Sequence, residues 1–274
     1  MTTPSIDAAV PRPPSPQPVD PRVFVLGATG YVGGEVVRQL SARDGITQVL
    51  AHVRPDSPRA EAARTTLGDL PRVVLDRSPL EVTALRATIE RAASTHVFLC
   101  HGTTRKRARA EGLEDPYETV DVGLVDLVCR AASDIEAPPR LVHLSSVGAN
   151  PNTRSAYLAA RGRAEKLLQE SGLPHTICRA PLLAGPDREE SRPLETLARW
   201  IANPLLRAAG AIGLGRLRDQ YLSMNAKEAA EGLIRSGFHY MTIDRVVRSD
   251  ELRRVGVYER ENWTPASRRD AARH

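Results

Sequence analysis

Short apolar runs alternate with helix-like stretches through the first two thirds of the chain. Six runs predict strands: RVFVL, TQVLAHV, RVVLD, HVFLCHG, RLVHLSS and HTICRA. Helix-like stretches lie around residues 30–42, 80–93, 116–132 and 153–170. Short strands that are apolar on both faces and separated by helices indicate a parallel sheet covered on both sides. With right-handed crossovers, the pattern predicts an α/β fold built on a doubly wound parallel sheet.

The two ends of the chain lack this alternation. Residues 1–20 are rich in proline without a periodic apolar face, which predicts a disordered leader. We expect a single domain over residues 21–262, with its core at 22–186. A small C-terminal lobe is expected at about 187–262, on the side where a substrate would bind. The polar tail at 263–274 is expected to fray.

The net charge of +5 comes mostly from arginine, because only Lys106, Lys166 and Lys227 among the 38 basic residues are lysine. One basic cluster, RKRAR at residues 105–109, could attract a phosphate-rich partner. Aromatic residues make up only 4% of the chain and none interleaves with this cluster. Since stacking on aromatic rings supports single-stranded nucleic-acid binding, we do not expect a nucleic-acid partner.

The sequence shows no sign of membrane insertion, secretion or metal binding. No apolar run approaches the roughly 18 residues that would cross a bilayer, and the N-terminal residues do not resemble a secretory signal. Cys100, Cys129 and Cys178 each sit in an apolar run, with neither disulfide-framework nor zinc-ligand spacing. We therefore expect buried free thiols, no metal, no membrane partner and a cytoplasmic location.

A glycine-rich turn follows the first predicted strand. Gly27, Gly30 and Gly33 have the spacing G-x-x-G-x-x-G, directly after the strand and at the start of a helix. Without side chains at these positions the turn can be tight, a diphosphate can approach the backbone, and the helix can pack close to the strand. The helix N-terminus then offers amide donors and a favourable dipole to the anion. The turn therefore predicts a Rossmann-type dinucleotide site.

The end of the second predicted strand bears on the choice between the two nicotinamide cofactors. An acidic residue at this place accepts a hydrogen bond from the ribose 2′-hydroxyl of NAD. This chain has Arg54 instead, and a guanidinium can bind a 2′-phosphate through two parallel hydrogen bonds. We therefore expect NADP(H) to be favoured over NAD(H). Asp76, at the end of the third strand, could contact the adenine amino group or simply cap a turn.

A second group of polar residues follows the fifth predicted strand. The strand ends at Ser145 and Ser146, and Tyr157 and Arg161 lie four residues apart on the next predicted helix. That spacing places both side chains on one helix face, near the strand end where open α/β sheets bind ligands. A serine that holds a carbonyl, a phenol that transfers a proton and a cation that lowers the phenol's pKa would form a reductase site.

These features together resemble the short-chain dehydrogenase/reductase superfamily, in its atypical branch, over roughly residues 22–186. A narrower resemblance lies in the segments HGTTRKRARAEG, HLSSVGANPNTRSAYLAARGRAE and CRAPLLAGPDREESRPLE. They are similar to the Tat-interacting-protein oxidoreductases, which are relatives of the NmrA-like proteins. The resemblance implies a Rossmann fold that binds NAD(P) and transfers hydride to or from a small carbonyl or alcohol substrate.

The resemblance also implies roles for individual residues. The diphosphate would be lined by Gly27, Ala28, Thr29, Gly30, Tyr31, Val32 and Gly33, with Arg54 at the 2′-phosphate. The ribose and nicotinamide would lie over Cys100, His101, Gly102 and Thr103, and the nicotinamide amide would contact Pro181, Leu182 and Leu183. Ser146 would hold the carbonyl and Tyr157 would act as general acid, whereas Ser145 would turn into the fold.

Arg161 departs from the family pattern, which has a lysine that bonds the nicotinamide ribose and tunes the tyrosine. Arginine keeps the charge but is a wide planar fork. Lys166 cannot replace it, because nine residues from Tyr157 place it on the opposite side of the helix. Two functions stay open: an NADP(H)-dependent oxidoreductase acting on a carbonyl compound, or a weakly catalytic NADP(H) sensor that signals to a protein partner, like the NmrA-like relatives.

Overall fold

The computed structural model describes residues 20–55, 57, 59–102, 115, 117–184 and 215–258. Almost all of the predicted leader, the predicted tail, Thr103 and the basic cluster at 105–109 lie outside the described residues. So does the first part of the predicted C-terminal lobe.

The sheet contains seven strands, all paired in parallel, in the order β3-β2-β1-β4-β5-β6-β7. The strands are β1 Arg22–Leu26, β2 Gln48–His52, β3 Val73–Asp76, β4 His96–Leu99, β5 Arg140–Ser146, β6 His175–Ala180 and β7 Arg245–Val247. The chain winds outward from β1 to β3, then crosses back to β4 and winds outward on the other side. The predicted doubly wound α/β fold is confirmed.

Helices connect the strands and cover both faces of the sheet. They are α1 Tyr31–Ser41, α2 Ala60–Thr66, α3 Val82–Arg91, α4 Gly123–Ala132, α5 Ala156–Glu170, α6 Gly215–Tyr221, α7 Ala226–Phe238 and α8 Ser249–Tyr258. A π-helical segment, Tyr117–Val122, runs directly into α4, and a short 3-10 helix, Tyr240–Thr242, precedes β7.

Alternate residues of each central strand point to opposite faces, so the protein has two apolar layers. Val25, Phe98 and Val142 belong to the layer packed against α1 and α7. Leu26 and Leu99 belong to the other layer, which is packed against α3, α4 and α5. This double burial is why the strands appear in the sequence as continuous apolar runs.

Strand β7 was not predicted from the sequence, and it lies beyond residue 186, in the region expected to form a lobe. Strand β7 pairs with β6, and α7 packs against α1 and against β5 and β6. Residues 226–247, which we assigned to a lobe, therefore belong to the sheet and its covering layer. Only three residues, RVV, form β7. Such a short run between charged and turn residues carries no strand signal above its surroundings.

The strand order determines where a ligand can bind. The chain reverses its winding direction between β1 and β4, which are neighbours in the sheet. Open α/β sheets bind ligands at this switch point, beyond the carboxyl ends of the strands. The glycine-rich turn after β1, residues 100–102 after β4, and the strand end at Ser146 all lie along this edge.

Candidate functional site

The glycine-rich turn has no room for side chains at two of its three glycines. Gly27 has a φ of +81°, and a Cβ there would lie 2.7 Å from the carbonyl carbon of Cys100 and from the amide nitrogen of His101. A Cβ on Gly33 would lie 2.1 Å from the carbonyl oxygen of Gly27. These contacts involve backbone atoms that cannot swing away. Glycine is therefore required for the turn to pack against the end of β4 and against the first turn of α1.

The N-terminus of α1 is suited to an anion. Gly30 is its N-cap residue, no side chain caps it, and the first turn carries no acidic residue. Within the described residues α2, α3 and α4 likewise lack a side-chain cap, whereas Ser155 caps α5 and Asn225 with Glu228 forms a capping box on α7. What distinguishes α1 is that its uncapped first amides directly follow the glycine-rich turn, where a diphosphate can approach the backbone. The predicted cradle thus fits a dinucleotide on the geometry of its own backbone.

At the end of β3, Asp76 is held by its neighbours. His52 Nδ1 lies 2.9 Å from the carboxylate, the Ser78 hydroxyl donates to it at 2.6 Å, and the Ser78 amide donates at 3.3 Å. Burial alone would raise the pKa of Asp76, but the hydrogen bonds from His52 and Ser78 outweigh it and the pKa is lowered. Asp76 therefore caps the turn after β3, which is one of the two roles that the sequence left open.

A second arginine, Arg59, was not identified from the sequence and follows Arg54 on the segment between β2 and α2. Arg54 comes two residues after the last residue of β2. Arg59 immediately precedes α2, and its Nη1 donates to the carbonyl oxygen of Thr29 at 3.2 Å. That contact ties the residues after β2 to the glycine-rich turn. Helix α2 was not predicted, and no pattern in the sequence indicated that Arg59 would fold back toward the turn.

The two serines at the end of β5 face different surroundings. The Ser145 hydroxyl donates to Glu165, a buried carboxylate that also accepts from Arg179 at 2.9 Å. Ser146 is partly exposed, and the one hydrogen bond described for its hydroxyl goes to the carbonyl oxygen of Val147, at 3.3 Å. Since successive strand residues alternate between faces, only one of the pair can meet a ligand at the strand end. Ser146 has the position for it.

Tyr157 and Arg161 lie together on α5, as their spacing predicted. The guanidinium carbon of Arg161 is 5.4 Å from the centre of the Tyr157 ring, within the range of a cation–π contact. The ring also packs against Tyr117 of the π-helical segment, 5.7 Å away between ring centres. Tyr157 is half-buried, so its ring is fixed from two sides while part of the residue stays accessible.

Arg161 itself is buried, with 5% of its surface exposed. Its Nη2 lies 2.8 Å from the carboxylate of Asp121, which is fully buried in the π-helical segment. Nη1 donates to the carbonyl oxygen of Leu144 at 2.9 Å, and Nη2 to that of His101 at 3.3 Å. Burial alone would lower the pKa of Arg161, but Tyr157 and then Asp121 outweigh it, so the pKa is raised. Arg161 is a permanent cation in this site.

Three buried side chains near Arg161 are neutral: those of His101, His143 and Cys100. Burial, and then the charge of Arg161, lowers the pKa of His101 to about 3 and that of His143 well below its ordinary value. The two rings lie 6.1 Å apart. Burial raises the pKa of the Cys100 thiol to about 12. A Cβ on Gly102 would lie 2.6 Å from Nη2 of Arg161, so this glycine makes room for the guanidinium.

The segment predicted to meet the nicotinamide amide follows β6. Pro181 is buried, whereas Leu182 and Leu183 are partly buried. Leu183 forms a β-bridge with Met224, and the Met224 amide donates to the Leu182 carbonyl at 3.0 Å. The Tyr31 hydroxyl reaches the next residue and donates to the Ala184 carbonyl at 3.1 Å. The side chain of Tyr31 is thus directed at this segment.

Gly162, which was not identified from the sequence, lies where α5 packs against the loop after β5. A Cβ there would lie 2.3 Å from the Pro151 nitrogen and 2.4 Å from the Asn150 carbonyl carbon. The glycine therefore lets α5 approach the loop that follows Ser146. Helix α5, which carries Tyr157, thereby packs closely on the loop that follows β5, which ends at Ser146. A glycine inside a predicted helix was the only available signal.

Among the residues that the structure describes, no group of three His, Cys, Asp or Glu side chains could hold a metal ion. In the same part of the chain, no helix is long and apolar enough to cross a membrane. The three cysteines are buried and free.

A doubly wound sheet with this glycine-rich turn and a serine–tyrosine–arginine group defines an NAD(P)-binding protein of the atypical short-chain dehydrogenase/reductase type. A family model described as NAD(P)H-binding matches residues 27–198. The protein fmp52, mitochondrial, of Aspergillus fumigatus is 30% identical over 232 residues, covering 84% of this chain and 92% of the relative. The chain belongs to this NAD(P)H-binding family, together with the Fmp52 proteins.

Other relatives bear on location. Proteins named fmp52-1, mitochondrial, from Aspergillus terreus and FMP52, mitochondrial, from Lodderomyces elongisporus are 29% and 25% identical, over 84% and 75% of this chain and 93% and 88% of the relatives. The prediction of a cytoplasmic location is wrong, because these relatives are named as mitochondrial proteins. It rested on the absence of a secretory signal and on cysteine spacing, and neither of these separates the cytoplasm from a mitochondrial location.

Solved structures share the fold at low identity. UDP-glucuronic acid 4-epimerase from Bacillus cereus, with UDP-glucuronic acid and NAD, superposes with a TM-score of 0.58 at 15% identity, covering 82% of this chain and 76% of the epimerase. The Bordetella bronchiseptica enzyme WbmF, with NAD+ and UDP, gives 0.57 at 18%, covering 84% and 72%. The terminal R domain from the myxalamid PKS-NRPS biosynthetic pathway superposes with a TM-score of 0.56 at 17% identity. The match covers 83% of this chain and 65% of the R domain.

Proposed function

We propose that this protein is an NADP(H)-dependent oxidoreductase that transfers hydride between the nicotinamide and a small carbonyl or alcohol substrate. The proposal is carried by one observation: Tyr157 stacks over the permanently charged Arg161 at the strand end where Ser146 is accessible. When bound, the nicotinamide supplies the hydride chemistry. The protein's own residues would position the substrate and move the proton.

Each residue of this group has a definite task under the proposal. The Ser146 hydroxyl donates a hydrogen bond to the carbonyl oxygen of the substrate. The Tyr157 hydroxyl gives a proton to that oxygen during reduction and takes one back during oxidation. Arg161 provides positive charge below the ring, where it favours the negative charge that develops on the oxygen. Asp121 and two backbone carbonyls fix the guanidinium in place.

The preference for NADP(H) is the finer part of the proposal. Arg54 and Arg59 lie on the segment that follows β2, where a 2′-phosphate would arrive, and no acidic residue occupies the end of β2. Arg59 is also bonded to the glycine-rich turn through Thr29. A guanidinium group beside the diphosphate cradle, with Arg54 earlier on the same segment, favours a cofactor with an additional phosphate.

The test is turnover of NADPH with a panel of aldehydes, ketones and quinones, followed by absorbance of the reduced nicotinamide. The Tyr157→Phe variant keeps the ring and its contact with Arg161 but removes the proton, so activity on any substrate found should fall by at least about 100-fold. Tyr240→Phe is the control, because Tyr240 is 65% exposed in the short helix before β7. Activity that survives in Tyr157→Phe would refute the catalytic assignment.

A second candidate is an NADP(H) sensor with little turnover, acting on a protein partner. One observation favours it: the guanidinium of Arg161 is occupied by Asp121, Leu144 and His101, where the family lysine binds the cofactor ribose. The same assays separate the two candidates. Tight NADPH binding, without oxidation by any compound in the panel, favours the sensor; turnover that depends on Tyr157 favours the oxidoreductase.

A further inference from the structure

The first residue of α1 connects two parts of the site that are far apart in sequence. Tyr31 directly follows Gly30, so its backbone belongs to the glycine-rich cradle. Its hydroxyl donates to the Ala184 carbonyl at 3.1 Å and accepts from the Ala226 amide at 3.3 Å. Ala184 ends the described segment after β6, and Ala226 begins α7. One phenol therefore spans from the phosphate end of the site to its nicotinamide end.

Among the described residues, the hydroxyl of Tyr31 provides the one hydrogen bond between α1 and Ala184. Helices α1 and α7 are held together without Tyr31, because Gln39 Nε2 donates to the Lys227 carbonyl at 3.0 Å and Arg43 pairs with Glu231 at 3.0 Å. The apolar residues of both helices also share one core layer. Removing the Tyr31 hydroxyl would leave that packing in place.

Within the part of the chain that the structure describes, the segment after β6 has few other contacts with the cradle. The Ala184 amide donates to the Met224 carbonyl at 2.8 Å, which ties the segment to the residue pair before α7. Leu183 and the Tyr31 ring both pack, partly buried, against the same core layer. Apolar contact of this kind is non-directional, whereas the hydroxyl fixes the distance between the segment and the first turn of α1.

We propose that Tyr31 is a positioning residue whose hydroxyl sets the spacing between the diphosphate cradle and the nicotinamide-side segment 181–184. This inference rests on the proposed binding of NADP(H) and specifies how the two ends of that site are held in register. A ligand that occupies both ends depends on the spacing. A ligand that occupies only the adenosine end does not.

The test compares two ligands on the folded full-length chain by calorimetry. NADPH reaches both ends, whereas 2′,5′-ADP carries the adenosine end alone. The Tyr31→Phe variant should bind NADPH about 3- to 10-fold more weakly, the effect of the one neutral hydrogen bond to Ala184, and should bind 2′,5′-ADP as tightly as the wild type does. The fluorescence of bound NADPH should shift toward that of the free cofactor, because its ring environment loosens.

Two further variants separate the bonds. Gln39→Met breaks a contact between α1 and α7 without touching segment 181–184, and should leave the affinity for both ligands unchanged. Ala226→Pro removes only the amide that donates to Tyr31. Proline suits the first position of a helix, and Asn225 before it has the extended conformation that proline requires (φ −85°, ψ 173°). Its NADPH affinity should match the wild type, since the bond to Ala184 remains.

The outcomes are distinguishable. If wild-type protein binds neither ligand, the proposed function fails. If wild-type protein binds both, and Tyr31→Phe weakens both equally or neither, the positioning role of Tyr31 is refuted while NADP(H) binding stands. A loss in Ala226→Pro as large as that in Tyr31→Phe would assign the effect to α7 and overturn the role of Ala184. Should Tyr31→Phe fail to fold, an NADPH-specific loss in Tyr31→His would support the proposal, and equal losses for both ligands would refute it.

Discussion

The guanidinium of Arg161 lies 2.8 Å from the carboxylate of Asp121, and both residues are buried: Arg161 is 5% exposed and Asp121 is fully buried. The two residues come from different elements, α5 and the π-helical segment before α4. Their charges compensate each other below the ring of Tyr157. The arginine that replaces the family lysine is thus a structural member of the site, held by a partner that accommodates its planar fork.

Removing the negative charge of this pair should be costly. In Asp121→Asn the buried guanidinium keeps its charge but loses its counter-ion, so the free energy of unfolding should fall by about 3 kcal/mol. The measurement is urea denaturation at pH 7. The matched control is Asp126→Asn, because Asp126 pairs with Arg130 at 3.7 Å on the surface, with side chains 46% and 66% exposed. That variant should lose less than about 1 kcal/mol.

A double variant tests whether the cost lies in the unpaired charge. Asp121→Leu combined with Arg161→Met removes both charges and keeps apolar volume, so it should recover most of the stability that Asp121→Leu alone loses. Equal losses for the single and the double variant would show that the carboxylate acts through its other contacts and not through Arg161.

Lysine at position 161 should not restore a better site. Arg161 uses two nitrogen atoms to reach Leu144, His101 and Asp121. One ammonium group cannot occupy both nitrogen positions, so Arg161→Lys leaves a buried carbonyl without its donor, at a cost of about 1–3 kcal/mol. Unfolding and turnover are measured together, with Arg163→Lys as control, since Arg163 lies on the same helix as Arg161 and bonds Glu118 of the π-helical segment in an exposed pair. A lysine variant that is more active and equally stable would contradict this prediction.

The proposed preference for NADP(H) should depend on Arg54 and Arg59, which both lie on the segment that follows β2. Arg54→Ala and Arg59→Ala should each reduce the preference for NADPH over NADH. The difference between the two binding free energies should fall by about 1–3 kcal/mol, the range of a charge-assisted hydrogen bond. Calorimetry with the two reduced cofactors measures this difference. Arg64→Ala, which removes an exposed arginine of α2 that pairs with Glu61, is the control. An unchanged difference in both variants would remove the NADP(H) assignment but not nicotinamide binding.

The sequence was sufficient for the parts of the site that depend on neighbours along the chain. The spacing of Gly27 and Gly33 and the four-residue step from Tyr157 to Arg161 are local patterns, and the structure places them as the spacing requires. The contact of Arg161 with Asp121 joins residues 40 positions apart, and Asp121 lies in a π-helical segment. No periodic pattern in the sequence predicts this contact. The hydroxyl of Tyr31 likewise reaches a residue 153 positions away.

Gly162 shows a different limit of sequence reasoning. In an isolated helix, alanine would be the better residue, by about 1 kcal/mol. Here the gain is outweighed by contact, since a Cβ would lie 2.3 Å from backbone at Pro151. Only the packing of α5 on the loop after β5 reveals why the glycine is there.

Gly162→Ala should therefore destabilise the protein and displace Tyr157. We expect a loss of about 2–4 kcal/mol in urea denaturation, because α5 must move away from a backbone that cannot yield. The control is Gly123→Ala in α4, where the nearest atom to an added Cβ is the Glu118 carbonyl oxygen at 3.4 Å. That variant should be neutral or slightly more stable, by helix propensity. Equal effects of the two substitutions would show that α5 tolerates the shift.

His143 makes the stability of the protein dependent on pH. Its ring is fully buried in the middle of β5, and within the part of the chain that the structure describes neither ring nitrogen has a hydrogen-bond partner. Burial first, then the charges of Arg161 and His101, lowers its pKa well below the ordinary 6.5. As the pH falls through about 6.5, His143 therefore binds a proton in the unfolded chain but stays neutral in the folded protein. Stability falls as the pH drops below that value.

Replacing this histidine should make the acid side of the stability curve shallower. His143→Leu removes one proton from the difference between the unfolded and folded states, so the slope below pH 6.5 should decrease by about 1.4 kcal/mol per pH unit. At pH 7.5 both proteins are neutral at this position, and the volume is similar, so their unfolding free energies should agree within about 1.5 kcal/mol. Urea denaturation between pH 5 and pH 7.5 measures both quantities. Parallel curves for the two proteins would mean that His143 is protonated in the folded state, in conflict with its burial beside Arg161.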